Sequence, residues 1–223
     1  FDKKISFKNI EFTYPNSKIT TIKNISFEIN KGEMISISGK TGSGKTTIMN
    51  NLLGLLEPNQ GTIQVDGVNI FENLNAWQNK IGYVPQSIFL LDDSIKNNIA
   101  FGIKKENFNE DRINDVIKKA QLENFISQQK NGLDTFVGER GARISGGQLQ
   151  RIAIARALYN NPEIIVFDEA TNALDEDTEN EVMKILLELK GKKTILLISH
   201  SHQNLVHCDK NFELINGTLK ERN

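Results

Sequence analysis

The chain has 223 residues, with 27 Lys and Arg against 28 Asp and Glu, which gives a formal net charge of −1. This near-neutral balance provides no long-range attraction for nucleic acid, so the composition argues against a nucleic-acid partner. The single cysteine, Cys208, cannot form an intrachain disulfide, which favours a reducing compartment, and no apolar run reaches the about 18 residues that a membrane span needs.

The amino-terminal part of the chain predicts strands around one helix. Residues 5–14 and 25–29 alternate apolar and polar side chains, as strands of an antiparallel sheet with one exposed face do. Residues 33–39 form a β-rich run that leads into a glycine loop, and an apolar helix is predicted at 48–56. A further strand, 61–67, is bracketed by turn glycines.

An amphipathic helix is predicted in the middle of the chain, within 109–122. Asn109 precedes it and is a residue type favoured at the N-cap. The apolar positions recur at helical spacing and fall on one face: Ile113, Val116, Ile117 and Ala120.

Two buried strands are predicted towards the carboxyl terminus. Residues 163–169 and 193–199 are continuous apolar runs, which are typical of strands covered on both faces of a parallel sheet. A helix predicted from Glu176 to Leu189 separates them and completes a βαβ unit. The tail predicts a hairpin around Asn216 and Gly217. These patterns predict an α/β fold and leave the strand order open.

A glycine loop at 39–46, GKTGSGKT, matches the pattern G-x-x-x-x-G-K-[ST] between a predicted strand and a predicted helix. Its glycines allow backbone N–H groups to surround an anion, and a helix N-terminus adds about half a positive charge. Lys45 is expected to reach the β- and γ-phosphates of a nucleotide, and the Thr46 hydroxyl to bind Mg²⁺. The alternative is a loop that only turns the chain.

Two acidic residues follow the buried run at 163–169. A carboxylate at such a place is costly unless it serves a cation, so Asp168 is predicted to hold Mg²⁺, directly or through a water. Glu169 points elsewhere if the strand is still extended there. It is therefore predicted to orient and deprotonate the attacking water, a step worth about 10²–10⁴-fold in rate. The alternative for Glu169 is a solvated strand end.

A second glycine-rich helix start lies at 145–148, SGGQ. Ser145 and Gln148 fit a capping box, but the two glycines between them cost roughly 0.8–1 kcal/mol each relative to alanine in a helix interior. Their presence predicts that another group approaches the backbone closely, and an anion is the natural guest at a helix start.

These motifs together resemble the ATP-binding cassette (ABC) ATPases. ISGGQ at 144–148 resembles the family signature, usually LSGGQ, and the resemblance covers the whole chain with the motifs in the expected order. It implies one nucleotide-binding domain over 1–223, with ATP and Mg²⁺ as cofactors. The implied fold is a P-loop NTPase core with a mixed, mainly parallel sheet, an antiparallel β subdomain and a helical subdomain at about 87–160.

The resemblance also implies roles for single residues. Tyr14 matches the aromatic residue that stacks on adenine, Gln86 the Q-loop glutamine that contacts Mg²⁺ and water, and His200 the switch histidine that bonds the γ-phosphate. From their patterns alone, the three could equally be a packed aromatic, a polar loop residue and a strand-end cap. Asp175 matches the D-loop aspartate. The implied nucleotide contacts in the glycine loop and the signature are Gly39, Lys40, Thr41, Gly42, Ser43, Gly44, Lys45, Thr46, Thr47, Ser145, Gly146, Gly147 and Gln148.

Two departures from the family pattern are small. Ile144 replaces the usual leucine of the signature, and Asn172 replaces the usual serine of the D-loop. Because Glu169 and His200 are both present, the resemblance implies a site that is competent for hydrolysis.

In that family two domains pair head to tail, so each ATP would contact Lys45 of one copy and the signature of a second copy. Segments 85–102 and 135–141, with Glu139 in its usual place, resemble exporter regions. We therefore expect an exporter or flippase whose membrane-spanning domain precedes Phe1 in the same polypeptide. The resemblance further suggests the cytoplasmic face of a bacterial inner membrane and a lipid or lipid-linked glycan cargo. The alternatives are a soluble ABC ATPase without a transport role, and a regulatory nucleotide-binding module, against which Glu169 argues.

Overall fold

The structure is a computed structural model that describes residues 1–142, 144–168, 176–199 and 205–222. The strands within these ranges are β1 (Lys4–Phe12), β2 (Ile22–Asn30), β3 (Met34–Ser38), β4 (Gln60–Val65), β5 (Val68–Asn69), β6 (Ile81–Val84), β7 (Ile164–Asp168), β8 (Thr194–Ile198), β9 (Lys210–Ile215) and β10 (Thr218–Arg222). The α-helices are α1 (Lys45–Leu52), α2 (Leu74–Gln78), α3 (Ile95–Ile99), α4 (Glu110–Lys119), α5 (Glu123–Ser127), α6 (Gly146–Leu158) and α7 (Glu176–Leu189).

The larger sheet has the strand order β10-β9-β3-β8-β7-β6, in which every neighbouring pair except β10 and β9 is parallel. Strands β7 and β8 are buried at every residue, which confirms the prediction from their continuous apolar runs. Because parallel strands end at a common edge, the last residues of β3, β6 and β7 lie along one side of the sheet: Ser38, Val84 and Asp168. That edge is where open α/β sheets bind ligands.

The smaller sheet is antiparallel, with the order β2-β1-β4-β5. In β2 the predicted alternation appears as alternating buried and exposed residues, and the Phe7 and Phe27 rings stack with centroids 4.4 Å apart. Its apolar face shares one core with α1 and with the near face of the larger sheet, including Ile37 and Ile48. The small sheet and α1 therefore cover one side of the parallel sheet.

A second core lies on the opposite side of the parallel sheet, among α3, α4, α6 and α7. The predicted face of α4 is buried, and the Asn109 side chain accepts a hydrogen bond from the Arg112 N–H at 3.0 Å, so the predicted N-cap is confirmed. Helix α7 has the predicted bounds. The confirmed fold is thus α/β, with helices and an antiparallel sheet on the two sides of a mainly parallel sheet.

The tail forms the predicted hairpin. Strands β9 and β10 pair antiparallel, with Ile215 opposite Thr218. Asn216 and Gly217 make the two-residue turn with φ of 49° and 83°, the left-handed values that such a turn requires.

Several predicted boundaries are wrong by two or more residues, among them the end of the strand predicted at 61–67, which is Val65. Two others have a clear physical cause. The first strand ends at Phe12 rather than residue 14, because the chain turns there and the Ser17 N–H donates to the Tyr14 carbonyl. Helix α1 begins at Lys45 and ends at Leu52, not at residue 56. Gly54, with φ of 69°, reverses the chain there, and the Leu55 N–H donates back to the Asn50 carbonyl.

Among the residues described, none of the helices has the length and apolar character that crossing a bilayer would require.

Candidate nucleotide-binding site

The glycine loop connects β3 to α1, and two of its glycines are required by packing as well as by conformation. Gly39 and Gly44 have φ of 149° and 108°. A Cβ on Gly39 would lie 2.4 Å from the Leu214 carbonyl oxygen, and one on Gly44 would lie 2.8 Å from the Ile22 side chain. The loop backbone is therefore held tightly between β2 and β9.

Lys45 begins α1 and is buried, with 7% of its surface exposed. Its Nζ donates to the carbonyl oxygens of Gly39, at 2.7 Å, and of Lys40, at 3.3 Å. The ammonium group is thus held against the backbone of the glycine loop. A buried cation at this place is suited to an anionic ligand.

A cleft of about 370 Å³ opens beside the glycine loop. It brings Tyr14 and Gln86, which are distant in the sequence, next to the loop and α1. Its lining residues are Tyr14, Thr21, Thr41, Gly42, Gly44, Lys45, Thr46, Thr47 and Gln86. We call this the phosphate-loop cleft. Thr21 was not predicted from the sequence.

Other residues of the glycine loop face the carboxyl-terminal hairpin. Lys40 and Ser43, together with Thr41 and Gly42, line a second hollow of about 420 Å³ against residues 213–216. The Ser43 hydroxyl is buried and has no hydrogen-bond partner in the described part of the chain. Gly39 is buried and lines neither hollow.

Asp168 ends β7 and is 8% exposed. The Tyr83 hydroxyl donates to its Oδ2 at 3.3 Å. Burial, together with the negative charge of Asp168 and this hydrogen bond, raises the pKa of Tyr83 to about 12. The phenol therefore stays protonated and remains a donor at neutral pH.

The donors available for a metal are oxygens. Thr46, which is exposed in the first turn of α1, and Gln86 line the phosphate-loop cleft and offer a hydroxyl and an amide oxygen. Asp168 offers a carboxylate at the end of β7 and is not among the residues that line this cleft. No group of three or more His, Cys, Asp or Glu that could hold a metal exists among the described residues. Mg²⁺ fits this donor set, because proteins usually bind it through one or two carboxylates together with the phosphates of a substrate.

Three predicted site residues, Glu169, Asp175 and His200, lie outside the residues that the structure describes, as does Asn172. Their roles stay predictions.

The second glycine-rich start is confirmed as a capping box at the N-terminus of α6. The Gln148 N–H donates to the Ser145 hydroxyl at 3.3 Å, and the Ser145 N–H donates to Gln148 Oε1 at 3.0 Å. Packing within the chain explains why a residue without a side chain is needed at Gly147, since a Cβ there would lie 2.8 Å from Thr178 Cγ2. The sequence pattern did not reveal this contact with α7.

The signature residues open onto a surface of their own. A cleft of about 490 Å³ contains Ser145, Gly146, Gly147 and Gln148 and is lined also by Asn124, Phe125, Gln128, Arg151, Thr178 and Glu181. We call it the signature cleft. It shares no lining residue with the phosphate-loop cleft. Within one copy, the two glycine-rich helix starts therefore form two separate surfaces.

Arg156 of α6 holds the segment that follows Gln86. Its guanidinium donates to the Phe89 carbonyl at 2.9 Å and to the Asn98 carbonyl at 2.8 Å, and it lies 5.0 Å from the centre of the Phe101 ring. Burial lowers the pKa of Arg156. Local sequence patterns do not predict this contact, because it joins two distant parts of the chain.

Several large apolar side chains are exposed on the segment that Arg156 holds and on the chain beside it. Phe89, Leu91 and Phe101 are exposed, and Phe136 joins them because it pairs with Ser94 in an antiparallel bridge. We call these four side chains the apolar patch.

The family model that matches this chain, and known proteins to which the chain is similar, are described as ABC transporters. Residues 22–172 match the family model described as ABC transporter. The chain is 37% identical over 219 residues to an ATP-dependent lipid A-core flippase of Pasteurella multocida, and 39% identical over 222 residues to a probable multidrug resistance ABC transporter ATP-binding/permease protein of Bacillus subtilis. The two alignments cover 98% of this chain and 38% and 37% of the relatives, so the chain spans less than half the length of the relatives that it matches.

A solved structure of a bacterial Atm1-family ABC exporter with ATP bound superposes with a TM-score of 0.89 at 34% sequence identity. That superposition covers 99% of this chain and 39% of the exporter chain.

Proposed function

The chain belongs to the ABC transporter family, and we propose that it is the ATPase domain of an exporter, two copies of which enclose ATP and Mg²⁺ between them. The observation that carries this proposal is the separation of the two clefts. One copy presents a phosphate-binding loop with Tyr14 and Gln86 beside it, and presents the Ser145 turn on another surface. A second copy in head-to-tail orientation would bring these two surfaces together on one nucleotide.

In the phosphate-loop cleft, we assign adenine to the Tyr14 ring and the phosphates to the loop 39–47. Tyr14 is 38% exposed and lines the cleft, so its side chain is accessible to a base. The positive charge of Lys45 and the backbone N–H groups of the loop complement the negative charge of the phosphates.

We assign the metal to Thr46, Asp168 and Gln86, which supply oxygen donors of the kind that Mg²⁺ prefers. Mg²⁺ bound there would neutralise charge on the β- and γ-phosphates. Glu169 is proposed as the base that takes a proton from the attacking water, and His200 as a hydrogen-bond partner of the γ-phosphate.

The signature cleft of the second copy would complete the site. Ser145 and Gly146 are exposed at the start of α6, where backbone N–H groups attract anions. We assign contacts with the γ-phosphate region to Ser145, Gly147 and Gln148, and a contact across the pair to Asp175. Hydrolysis to ADP and phosphate would remove the anion that holds the two copies together.

We further propose that a membrane-spanning domain of the same polypeptide contacts the apolar patch. Exposed apolar patches on folded domains mark docking surfaces. Three of the four side chains of the patch lie on the exporter-like segment 85–102, and Phe136 lies on the exporter-like segment 135–141. The greater length of the relatives is consistent with a further domain in the same polypeptide. Because one relative is named a lipid A-core flippase, we propose a lipid-like cargo and a position at the cytoplasmic face of a bacterial membrane.

The function is tested by phosphate release and by size-exclusion chromatography of the purified chain with ATP. We expect Glu169→Gln to slow phosphate release at least about 100-fold while ATP-dependent dimers persist. Glu188→Gln changes an exposed residue of α7 and serves as the matched control. Equal rates for Glu169→Gln and the unchanged chain would remove Glu169 from its role.

A mixing experiment tests whether each site is shared between copies. Lys45→Ala damages the phosphate loop, and Ser145→Arg blocks the signature cleft. Neither variant alone should therefore form dimers when ATP is added. A mixed head-to-tail pair keeps one intact site, formed by Lys45 of the Ser145→Arg copy and Ser145 of the Lys45→Ala copy. Association that appears only in the mixture supports the proposal, and a mixture that stays monomeric with ATP contradicts it.

A further inference from the structure

Tyr83 is a residue for which neither the motifs nor the assignments above have a role. It lies on β6, which pairs with β7 in parallel, with Tyr83 opposite Val166. This register places its hydroxyl 3.3 Å from Oδ2 of Asp168, the residue that ends β7. Gln86 follows Tyr83 by three positions, just after the end of β6. Tyr83 therefore lies close in sequence to one proposed metal-binding residue, Gln86, and contacts another, Asp168.

The hydrogen bond from Tyr83 is better explained as a way to orient the Asp168 carboxylate than as a way to satisfy a buried phenol, because Tyr83 is partly exposed. A carboxylate has two oxygens, and the torsion that turns them is broad and roughly two-fold. A donor to one oxygen narrows the range of this torsion and so holds the plane of the carboxylate. Groups that hydrogen-bond to a metal-binding carboxylate in this way typically change metal affinity by about 10–100-fold.

We propose that Tyr83 is a positioning residue for the metal: its phenol holds Oδ2 of Asp168, so that the carboxylate keeps the orientation in which it serves Mg²⁺. The proposal rests on the function proposed above. Tyr83 itself touches neither the metal nor the nucleotide in this role, because its hydroxyl acts on Asp168.

The nature of the residue supports this role. Only the hydroxyl distinguishes tyrosine from phenylalanine, and here that hydroxyl is the atom that reaches Asp168. Tyr83 is also 36% exposed, so its ring is not one of the fully buried side chains of the core. Tyr83→Phe should therefore remove the contact while keeping the ring and the packing of β6.

The experiment compares the unchanged chain with Tyr83→Phe and with Tyr159→Phe. Tyr159 provides a matched control, because its hydroxyl accepts a hydrogen bond from the Asn109 N–H at 3.1 Å on α6's side of the sheet, outside both clefts. Calorimetry measures the affinity for a non-hydrolysable ATP analogue, first in EDTA and then with saturating Mg²⁺. Electron paramagnetic resonance measures Mn²⁺ affinity at saturating analogue.

We expect Tyr83→Phe to bind the analogue in EDTA as the unchanged chain does, but to bind Mn²⁺ about 10-fold more weakly. The gain in analogue affinity that Mg²⁺ provides should shrink for this variant alone. Tyr159→Phe should match the unchanged chain in all three measurements.

Equal Mn²⁺ affinity for Tyr83→Phe and the unchanged chain would overturn the proposal. The proposal would also be overturned if Tyr83→Phe lost as much analogue affinity in EDTA as it loses with saturating Mg²⁺. A distorted cleft, rather than a misoriented carboxylate, would then explain the result. Failure of the unchanged chain to bind the analogue would overturn the proposed function itself, and the role of Tyr83 with it. The two failures are thus distinguishable.

Discussion

The hydroxyl groups of Tyr14 and Thr47 lie 3.0 Å apart, within hydrogen-bond distance, and join the turn after β1 to the first turn of α1. The Tyr14 ring also meets the Phe12 ring edge-on, with centroids 5.0 Å apart. These two contacts fix the ring at the mouth of the phosphate-loop cleft before any ligand binds. A ring ordered in advance loses less conformational freedom on binding.

Replacement of this ring gives the first prediction. Tyr14→Ala should weaken ATP binding by about 1–3 kcal/mol, roughly 5- to 150-fold in Kd, because stacking on the base is lost. Tyr14→Phe should cost no more than about threefold, since it keeps the ring and loses one hydroxyl contact. Calorimetry with ATP and with inorganic triphosphate measures both. Equal weakening for triphosphate would show that Tyr14 does not act on the adenine.

The second prediction concerns the ammonium group in the glycine loop. Lys45→Ala should weaken ATP binding by about 1.5–3 kcal/mol, roughly 10- to 150-fold, because a charge-assisted hydrogen bond to phosphate is lost. Lys118→Ala removes an exposed lysine of α4 and should leave affinity unchanged. Calorimetry with ATP checks both variants, and unchanged affinity for Lys45→Ala would contradict the assignment.

The third prediction separates two reasons for a glycine at position 147. Gly147→Ala places a methyl group 2.8 Å from Thr178 Cγ2, so it should lower the melting temperature. Adding Thr178→Ala to this variant removes Thr178 Cγ2 and should restore most of the lost melting temperature. ATP-dependent association should stay impaired in the double variant, because Gly147 lines the signature cleft, where the nucleotide of the second copy is proposed to bind.

Thermal unfolding and size-exclusion chromatography with ATP are the two measurements for this pair. Recovery of association together with the melting temperature would mean that Gly147 serves only the contact between α6 and α7.

The fourth prediction compares two arginines. Arg156→Ala leaves the carbonyl groups of Phe89 and Asn98 without their donor, and should lower the free energy of unfolding by about 2–4 kcal/mol. Arg222→Ala on β10 breaks an exposed contact, the ion pair with Glu213 of β9, and should cost at most about 1 kcal/mol.

Denaturant unfolding measures these free energies, and hydrogen exchange locates the effect of Arg156. We expect faster exchange within residues 89–101 for Arg156→Ala and unchanged exchange there for Arg222→Ala. Equal costs for the two variants would show that the contacts of Arg156 contribute little to stability.

Local sequence patterns predicted helices and turns correctly where residues close in sequence determine the conformation. The buried face of α4, its Asn109 cap, the bounds of α7 and the turn at Asn216 and Gly217 all follow from residues close in sequence. The ends of the first strand and of α1 were missed, because a turn at Tyr14 and a reversal at Gly54 override the apolar pattern there.

The candidate site divides in the same way. The glycine loop and the capping box at Ser145 are continuous stretches with recognisable residue patterns, so both could be predicted. Their packing against distant residues, Leu214 and Thr178, could not. The contact of Tyr83 with Asp168 could not, because it depends on β6 lying beside β7 in the sheet.

The amino-acid sequence by itself determined the α/β class, the phosphate-binding loop, the capped start of α6 and the family, because each depends on neighbouring residues or on motif order. Only the tertiary structure decided that β3 lies beside β8, that Tyr14 and Gln86 line one cleft, and that the Ser145 turn opens onto another. The physical reason is that hydrogen bonding between strands and burial of apolar side chains act between residues far apart in the chain, and local periodicity carries no information about which distant partners they join.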